Sequence, residues 1–424
     1  VVGALALLVA GLAPVQGQST LNVDGEDASC DDATGSPYCT IQAAINDASA
    51  GDVIEVAAGT YAEEVNIDKE LRLNGANAGT AGNGSRGSES TIAPPTSSDT
   101  PQAAIRVRAS NVTIDGVRVD GQDEILTGIA INPGMETPVK TTIVQNSIFE
   151  NFPSGGTIDV PSFEGTIQVD VPFGAGIAGV GRSTGNTFAN NLFQNFGAYQ
   201  PPTETDPERT SIGIAVADGF EASIESNRID EVAFGVLMTQ GSLPLPTGPI
   251  MGPPVLGSET EATRAEPANG GIARVSGGQI TNVRRGIVLY PGDRDAAYDI
   301  EDVSINEAEE FGVVAFRFDG SGDGLGDGNS DITTSIRNVT ITNTGKIEPD
   351  ASGIATNAFS GTGSLTTTIE NSTIRDNKNR GINALGADDE KVFVTVERSI
   401  VEGNGWVPSS NANANGIIAQ RGAE

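Results

Sequence analysis

The sequence predicts an all-β chain that folds as a parallel β-helix, a solenoid of short stacked strands. One motif recurs, in which two apolar residues four or five positions apart enclose polar residues, often Asn. Successive copies start between 25 and 51 residues apart, which fits one coil per repeat with insertions leaving at the turns. The nine copies are Ile114–Val119, Val144–Phe149, Phe188–Phe193, Ile224–Ile229, Val275–Ile280, Ile300–Ile305, Ile336–Ile341, Ile369–Ile374 and Val396–Val401.

A second short segment, Gly followed by Ile or Val, comes after each copy. Both kinds of segment are too short for helices and rich in β-branched residues, so each is expected to form a strand. A propeller blade needs four strands in about 40 residues, more than the shortest repeat can hold. The second segments begin at Gly128, Gly176, Gly213, Gly235, Gly286, Gly312, Gly353, Gly381 and Gly416.

Residues 105–424 are therefore expected to form about nine coils. Loop insertions are expected at 152–172, 198–210, 240–269 and 319–331. Like residues should stack in columns inside the solenoid, and the first residues of the copies should form one wall. Asn recurs seven positions after the start of several copies, which favours a stacked turn ladder over a row of polar ligands. These residues are Asn151, Asn195, Asn282 and Asn343.

The N-terminus reads as an export signal. Val1–Val15 is an uncharged, apolar run that is too short to span a bilayer comfortably. With a plausible cleavage point after Gly17, residues 1–17 are typical of a signal peptide that lacks its own beginning. No later stretch is apolar enough for a transmembrane span. Cys30 and Cys39, the only cysteines, are expected to form a local disulfide in an exported chain. Residues 18–104 should hold this loop, a cap and the first coils.

Charge and composition exclude several functions. The chain has 24 basic and 56 acidic residues, a net charge of −32, and no His. Nucleic-acid binding is not expected, because phosphate contacts need a basic face. Catalytic triads and metal sites that use His are excluded. The acidic surface favours solubility and suits a salty exterior.

The segment Cys39–Gly75 resembles the first turns of pectin-lyase-like right-handed β-helix proteins. In that family a short amphipathic helix, here carrying Ile41, Ala44 and Ile45, caps the open end of the solenoid. A strand and a Gly-Thr-Tyr-x-Glu turn follow, here Gly59–Glu63. The resemblance implies a single-stranded right-handed parallel β-helix with an N-terminal capping helix, exported to the cell surface or the medium.

Catalytic motifs of related enzymes are missing. We find neither the paired Asp, Gln and Arg pattern of pectin methylesterases nor the Gly-His-Gly segment of polygalacturonases. The pair Asp388-Asp389 leads straight into a strand and is interpreted as a solvated turn. The weak catalytic candidates are Arg285, Arg317, Asp388 and Asp389.

A Gly-rich acidic segment is the most distinctive local sequence. Spaced carboxylates on such a chain can wrap a calcium ion, although the spacing does not match an EF-hand. The candidate ligands are Asp319, Asp323, Asp327, Asn329 and Asp331. Nearby Arg side chains could serve a calcium-dependent lyase, but surface ion pairs are the favoured interpretation.

Glycan binding would use aromatic side chains. Trp406 and Tyr290 are the candidates, and both are expected in turns. The preferred hypothesis is a non-catalytic, exported or cell-surface module that binds glycans or other surface partners. The alternatives are a calcium-dependent polysaccharide lyase or glycoside hydrolase, and a structural spacer of a larger surface protein.

Overall fold

The computed structural model describes residues 18–95, 103–132, 138–162, 165–171, 173–200, 210–239, 272–290, 295–317, 330–345, 351–358, 363–386, 391–405 and 416–420. Within them lie three long parallel sheets, a two-stranded antiparallel sheet and one helix. Successive strands enter sheets A, B and C in turn, so each coil adds one strand to each sheet. The predicted right-handed parallel β-helix is confirmed.

The strands have the following bounds. Sheet A contains β1 (Thr20–Val23), β2 (Asp52–Val56), β5 (Leu71–Asn74), β8 (Val112–Asp115), β11 (Thr142–Gln145), β16 (Ser183–Ala189), β19 (Phe220–Glu225), β22 (Ile272–Ser276), β25 (Ala296–Glu301), β28 (Ile332–Arg337), β31 (Ser364–Glu370) and β34 (Lys391–Glu397). Sheet B contains β3 (Gly59–Tyr61), β6 (Ser90–Ile92), β9 (Arg118–Asp120), β12 (Ile148–Glu150), β17 (Leu192–Gln194), β20 (Arg228–Asp230), β23 (Gln279–Thr281), β26 (Ser304–Asn306), β29 (Thr340–Thr342), β32 (Thr373–Arg375) and β35 (Ile400–Glu402). Sheet C contains β4 (Val65–Ile67), β7 (Ala103–Val107), β10 (Thr127–Ile131), β15 (Phe173–Val180), β18 (Thr210–Ala217), β21 (Phe234–Thr239), β24 (Arg285–Tyr290), β27 (Phe311–Arg317), β30 (Ser352–Ala358), β33 (Arg380–Gly386) and β36 (Ile417–Gln420).

The predicted wall of apolar residues is present in sheet A. Val144 lies opposite Ile114 on one side and Phe188 on the other, and Phe188 lies opposite Ile224. The column continues coil by coil to Val396. The Ile and Val residues of the second segments form a matching column in sheet C. Apart from Ile417, which is exposed, both columns line one continuous core, where each fully buried aliphatic side chain contributes about 1.5–3 kcal/mol.

Each copy of the motif spans two strands rather than the single strand predicted. In the copy Ile336–Ile341, the first Ile belongs to sheet A, the second to sheet B, and Asn338 starts the turn between them. Its φ of 55° lies in the left-handed region. The same turn position has positive φ in nine coils, at Gly116, Asn146, Asn190, Ser226, Gly277, Asp302, Asn338, Asn371 and Arg398.

The Asn ladder predicted from the sequence (Asn151, Asn195, Asn282 and Asn343) has the expected turn role. Its four members follow strands of sheet B and all have positive φ, which Asn tolerates better than most residues. The side-chain nitrogen of Asn282 donates to Asp230 at 2.8 Å, and that of Asn343 donates to Asn306 at 2.8 Å. These bonds join successive coils.

The predicted helix α1 (Ile41–Asp47) covers the N-terminal end of the core. The Glu63 carboxylate accepts hydrogen bonds of 2.7 and 2.9 Å from the backbone N–H groups of the first two helical residues. At the other end, the Lys69 ammonium donates to the carbonyl oxygens of Ile45 and Ala48 at 3.0 and 3.1 Å. Both ends of the helix are thus satisfied by charged side chains. Its buried residues are Ile41, Ala44 and Ile45.

The predicted disulfide joins Cys30 to Cys39 in the loop before α1. The Asp32 carboxylate accepts hydrogen bonds from the backbone N–H groups of Cys39 and Thr40, at 2.7 and 2.9 Å. The loop is therefore tied to the start of the capping helix by both a covalent bond and hydrogen bonds.

The insertion at 152–172 was predicted as a loop, but it contains regular structure. It contains an antiparallel hairpin of β13 (Gly156–Ser162) and β14 (Gly165–Val171), because seven residues on each side pair with one another instead of with the solenoid. The insertion at 240–269, most of the other two insertions and residues 1–17 lie outside the described residues. Among the described residues, no helix is long and apolar enough to cross a membrane.

Candidate functional site

The outer face of sheet C differs from an ordinary solvent-facing sheet surface. All seven residues of β27 are buried, whereas a half-solvated strand alternates buried and exposed positions. The inward residues Val313 and Ala315 belong to the main core, while Val314 and Phe316 belong to a separate outer cluster. Sheet C therefore carries apolar side chains on both of its faces.

Two arginines and one glutamate lie where the neighbouring strands β24 and β27 of this sheet begin. Arg284 directly precedes β24, and its Nε donates to Glu310 Oε1 at 2.6 Å. Arg285 Nε donates to Glu310 Oε2 at 2.5 Å. The Glu310 side chain is only 4% exposed, and those of Arg284 and Arg285 are 14% and 16% exposed. One buried carboxylate thus fixes two guanidinium groups and leaves one net positive charge.

Aromatic rings surround the arginine pair. The Arg284 guanidinium carbon lies 3.2 Å from the centroid of the Tyr199 ring. The Arg285 guanidinium carbon lies 4.9 Å from the Phe234 centroid and 5.6 Å from that of Phe316. Such contacts favour a cation at the ring face. We call this group the Arg–aromatic cluster; its members are Tyr199, Phe234, Arg284, Arg285, Tyr290, Glu310, Phe311 and Phe316.

The cluster joins two residues that the sequence singled out separately. Tyr290 stacks on Phe316 with ring centroids 6.0 Å apart, and Arg285 packs on the same ring. Tyr290 is the last residue of β24 and does not lie in the predicted turn. The sequence does not show where β24 ends, because the apolar run Ile287–Leu289 continues up to Tyr290 without a turn signal.

Sequence reasoning missed Glu310, Tyr199 and the three phenylalanines. One available signal was the residue just before the Gly of each second segment, which faces outward. That column reads Ile212, Phe234, Arg285 and Phe311 in four successive coils. Aligning the second segments as a column exposes this group of large side chains, but nothing in the sequence brings Tyr199 to it.

The cluster is suited to binding a group, not to transferring a proton. Both oxygens of Glu310 accept hydrogen bonds from guanidinium donors, and Arg stays protonated in proteins. Arg284 Nη1 is buried and has no hydrogen-bond partner among the described residues. A planar donor that is held in place and still has capacity is suited to carboxylate or hydroxyl oxygens.

Arg317, a predicted catalytic candidate, lies apart from this face. It is fully buried and pairs in register with Ala358, a member of the main core. Its neighbour Phe316 points outward, so alternation along β27 directs Arg317 to the inner side. The structure does not bring it to Arg285.

Asp331, the one candidate calcium ligand among the described residues, is held by hydrogen bonds. Its Oδ1 accepts from the backbone N–H of Ser364 at 2.7 Å and from the Ser364 hydroxyl at 2.8 Å. These bonds lower the pKa of the Asp331 carboxyl below its usual value. The described residues contain no group of three or more carboxylate or Cys side chains able to hold a metal. Asp319, Asp323, Asp327, Asn329, Asp388, Asp389 and Trp406 lie outside the described residues.

Comparisons with known proteins give structural neighbours only. No family model matches the chain, and no curated protein matches it. Among solved structures, the A-module of the mannuronan C-5 epimerase AlgE4 of Azotobacter vinelandii is 16% identical, covers 93% of this chain and 100% of its own, and has a TM-score of 0.48. The polygalacturonase of Erwinia carotovora is 11% identical, covers 97% and 99%, and has a TM-score of 0.42. The lacto-N-biosidase of Eubacterium ramulus is 8% identical, covers 96% and 67%, and has a TM-score of 0.47.

The assignment of the fold depends on the sheets themselves. Every coil from β2 onward adds one strand to each of three parallel sheets, and α1 covers the N-terminal end as the sequence resemblance implied. The chain is a right-handed parallel β-helix with an N-terminal capping helix.

Proposed function

We propose that this chain is an exported β-helix protein that binds polysaccharide on the outer face of sheet C. The observation that carries the proposal is the Arg–aromatic cluster, in which buried Glu310 holds Arg284 and Arg285 against a set of aromatic rings. The disulfide between Cys30 and Cys39 supports export, because such bonds persist mainly in oxidising compartments.

The chemistry of the cluster fits a glycan. Aromatic rings offer flat apolar surfaces with polar edges, which suit the faces of sugar rings. The guanidinium fork suits carboxylate and hydroxyl oxygens. Because Glu310 fixes the arginines before a ligand arrives, little side-chain entropy is lost on binding. The local positive charge also attracts acidic sugars to a chain whose net charge is −32.

Binding can be tested on mannuronan, polygalacturonate and α-1,3-glucan by calorimetry. The informative variant carries Glu310→Leu, Arg284→Met and Arg285→Met together, because replacing a whole buried ionic network with apolar residues preserves stability better than breaking it. We expect this variant to lose at least about tenfold in affinity, which corresponds to about 1.4 kcal/mol.

Arg337→Met is the matched control. It removes one surface arginine from sheet A, where Arg337 pairs with Asp299 at 3.3 Å and is 33% exposed, so its affinity should match that of the parent protein. Equal affinity of the triple variant and the parent would place any glycan elsewhere. If the parent binds none of the three polymers, the structural-spacer hypothesis is favoured instead.

The enzyme alternatives are tested in the same samples. Unsaturated uronate ends that need Ca²⁺ and vanish with chelator would favour a polysaccharide lyase, and the calcium site would then be sought among residues 319–331. New reducing ends without unsaturation would favour a glycoside hydrolase. Unchanged polymer together with measurable binding supports the non-catalytic module.

A further inference from the structure

A buried amide pair lies on the same outer face, next to the Arg–aromatic cluster. Asn383 Nδ2 donates to Asn357 Oδ1 at 3.1 Å. Asn383 faces outward, because its strand neighbours Ile382 and Ala384 both belong to the main core. It pairs in register with Ala355, a member of the outer cluster. The pair therefore belongs to the outer face of sheet C and not to the interior of the solenoid.

One polar atom of this pair is left without a partner. Asn383 is 2% exposed and Asn357 is 4% exposed, yet Asn383 Oδ1 has no hydrogen-bond partner among the described residues. A buried, unsatisfied acceptor costs about 1–3 kcal/mol, and such atoms are rare in folded proteins. A cost of this kind, on a face that already carries a binding cluster, indicates an acceptor kept for a ligand.

The amide pair continues the cluster along the rod. Asn357 lies directly opposite Phe316 in the strand register. Strand β33, which carries Asn383, is three strands beyond β24, which carries Arg285, or about 14 Å at the usual strand spacing. A polymer lying across the strands could therefore contact the arginines, the rings and the amide at once.

We infer that Asn383 Oδ1 accepts a hydrogen bond from a hydroxyl group of the bound polysaccharide, so that the site recognises an uncharged part of the ligand beside the part held by the arginines. The inference rests on the proposed glycan binding. Because the oxygen is buried in the unliganded protein, the hydroxyl reaches it after a local opening of the surface. The bond then supplies the missing partner, and a ligand without that hydroxyl leaves the acceptor unpaired.

The test compares Asn383→Ala with Asn383→Ser, two small side chains that differ by one acceptor oxygen. The probes are free-acid polygalacturonate and its methyl ester, which keep the same ring hydroxyls and differ in charge. We expect Asn383→Ala to weaken binding of both polymers by about tenfold, and Asn383→Ser to recover part of that loss on both. Circular dichroism and melting confirm that each variant is folded.

The outcomes separate this inference from the proposed function. If the parent binds and Asn383→Ala binds equally well, glycan binding stands and the role of Asn383 is wrong. The inference also fails if Ser recovers nothing, or if the loss is confined to the free-acid polymer, since the residue would then act through volume or charge. If the parent binds neither polymer, the proposed binding site and this inference fail together on these probes.

Discussion

Sheets A and C share an inner design and differ on their outer faces. Each contributes a column of Ile, Val and other apolar residues to the same core. Outside, β31 of sheet A alternates buried and half-buried residues, whereas β27 of sheet C is buried throughout. The charged groups differ in the same way: Arg337 of sheet A is 33% exposed in its ion pairs, and Glu310 beside sheet C is 4% exposed.

This difference shows which positions specify the fold and which are available for function. The inner columns recur in every coil because each coil must bury an apolar stripe against its neighbours. The outer face of sheet A needs only to be wetted by solvent. The outer face of sheet C holds a buried carboxylate paired with two arginines and an amide oxygen without a partner among the described residues, and burying such groups is costly unless each is paired.

The largest expected effect is the loss of Glu310. Glu310→Leu leaves two nearly buried guanidinium groups without their carboxylate, which should lower the free energy of unfolding by about 3–5 kcal/mol. The matched change on sheet A, Glu301→Leu, removes a partner that is 22% exposed and should cost less than about 1 kcal/mol. Urea denaturation measures both, and equal losses would contradict the comparison.

Two opposite substitutions, one replacing a methyl group with a hydroxyl and one doing the reverse, test whether the outer faces of sheets C and A differ in solvation. Val314→Thr places a hydroxyl at a fully buried outward position of sheet C and should cost about 1–3 kcal/mol. Thr368→Val makes the reverse change at a half-buried outward position of sheet A and should change stability by less than about 0.5 kcal/mol. Thermal melting of the two variants side by side is sufficient. A harmless Val314→Thr would mean that this face is solvated.

Removal of the Tyr199 ring separates stability from binding. Tyr199→Ala deletes the aromatic face over Arg284, and the lost cation–π contact should cost about 0.5–1 kcal/mol in unfolding measurements. Tyr199→Phe keeps the ring and should retain both stability and glycan affinity. Weaker glycan binding by the Ala variant alone would support a stacking role for this ring, whereas equal binding by both variants would remove Tyr199 from the proposed site.

The smallest expected effect is the pH dependence of stability that arises from Asp331, which directly precedes β28 of sheet A. Hydrogen bonds from Ser364 lower the pKa of Asp331 in the folded protein. The stability this adds is present above the unfolded Asp pKa of about 3.9 and is lost as pH falls through the folded value. Asp331→Asn should therefore be less stable than the parent near neutral pH, and the gap should close below about pH 4. A constant gap in melts across that range would show that the carboxylate charge plays no part.

The solenoid could be predicted from the sequence because the residues of its inner columns recur in short segments of similar pattern along the chain. The first residues of the copies stack in register from Ile114 to Val396, and the Gly-Ile segments stack likewise. The capping helix and the disulfide also depend on residues close together in the chain. The columns follow from the period of apolar residues and the disulfide from a short spacing, whereas the capping helix was expected from the resemblance of Cys39–Gly75 to pectin-lyase-like β-helix proteins.

Other features were not visible because no residue type marks them. The division of each copy into two strands depends on a left-handed turn residue, and Asn190, Ser226, Asp302 and Arg398 all fill that position. Tyr199 meets Arg284 across 85 positions of sequence, through a contact set by a connection between coils and not by the repeat. Asn383 Oδ1 is distinguished by having no hydrogen-bond partner among the described residues, and a sequence does not show which side-chain atoms are hydrogen-bonded.

The alternation of inward and outward residues along β24, β27, β30 and β33 has an evolutionary consequence. An outward side chain in one coil can be exchanged without altering the inward residues on either side of it, and each coil offers an equivalent position one strand spacing further along the rod. Substitutions can therefore change the outer face of sheet C one coil at a time while the inner columns stay constant. Relatives with the same inner columns should differ most in the outward residues of sheet C.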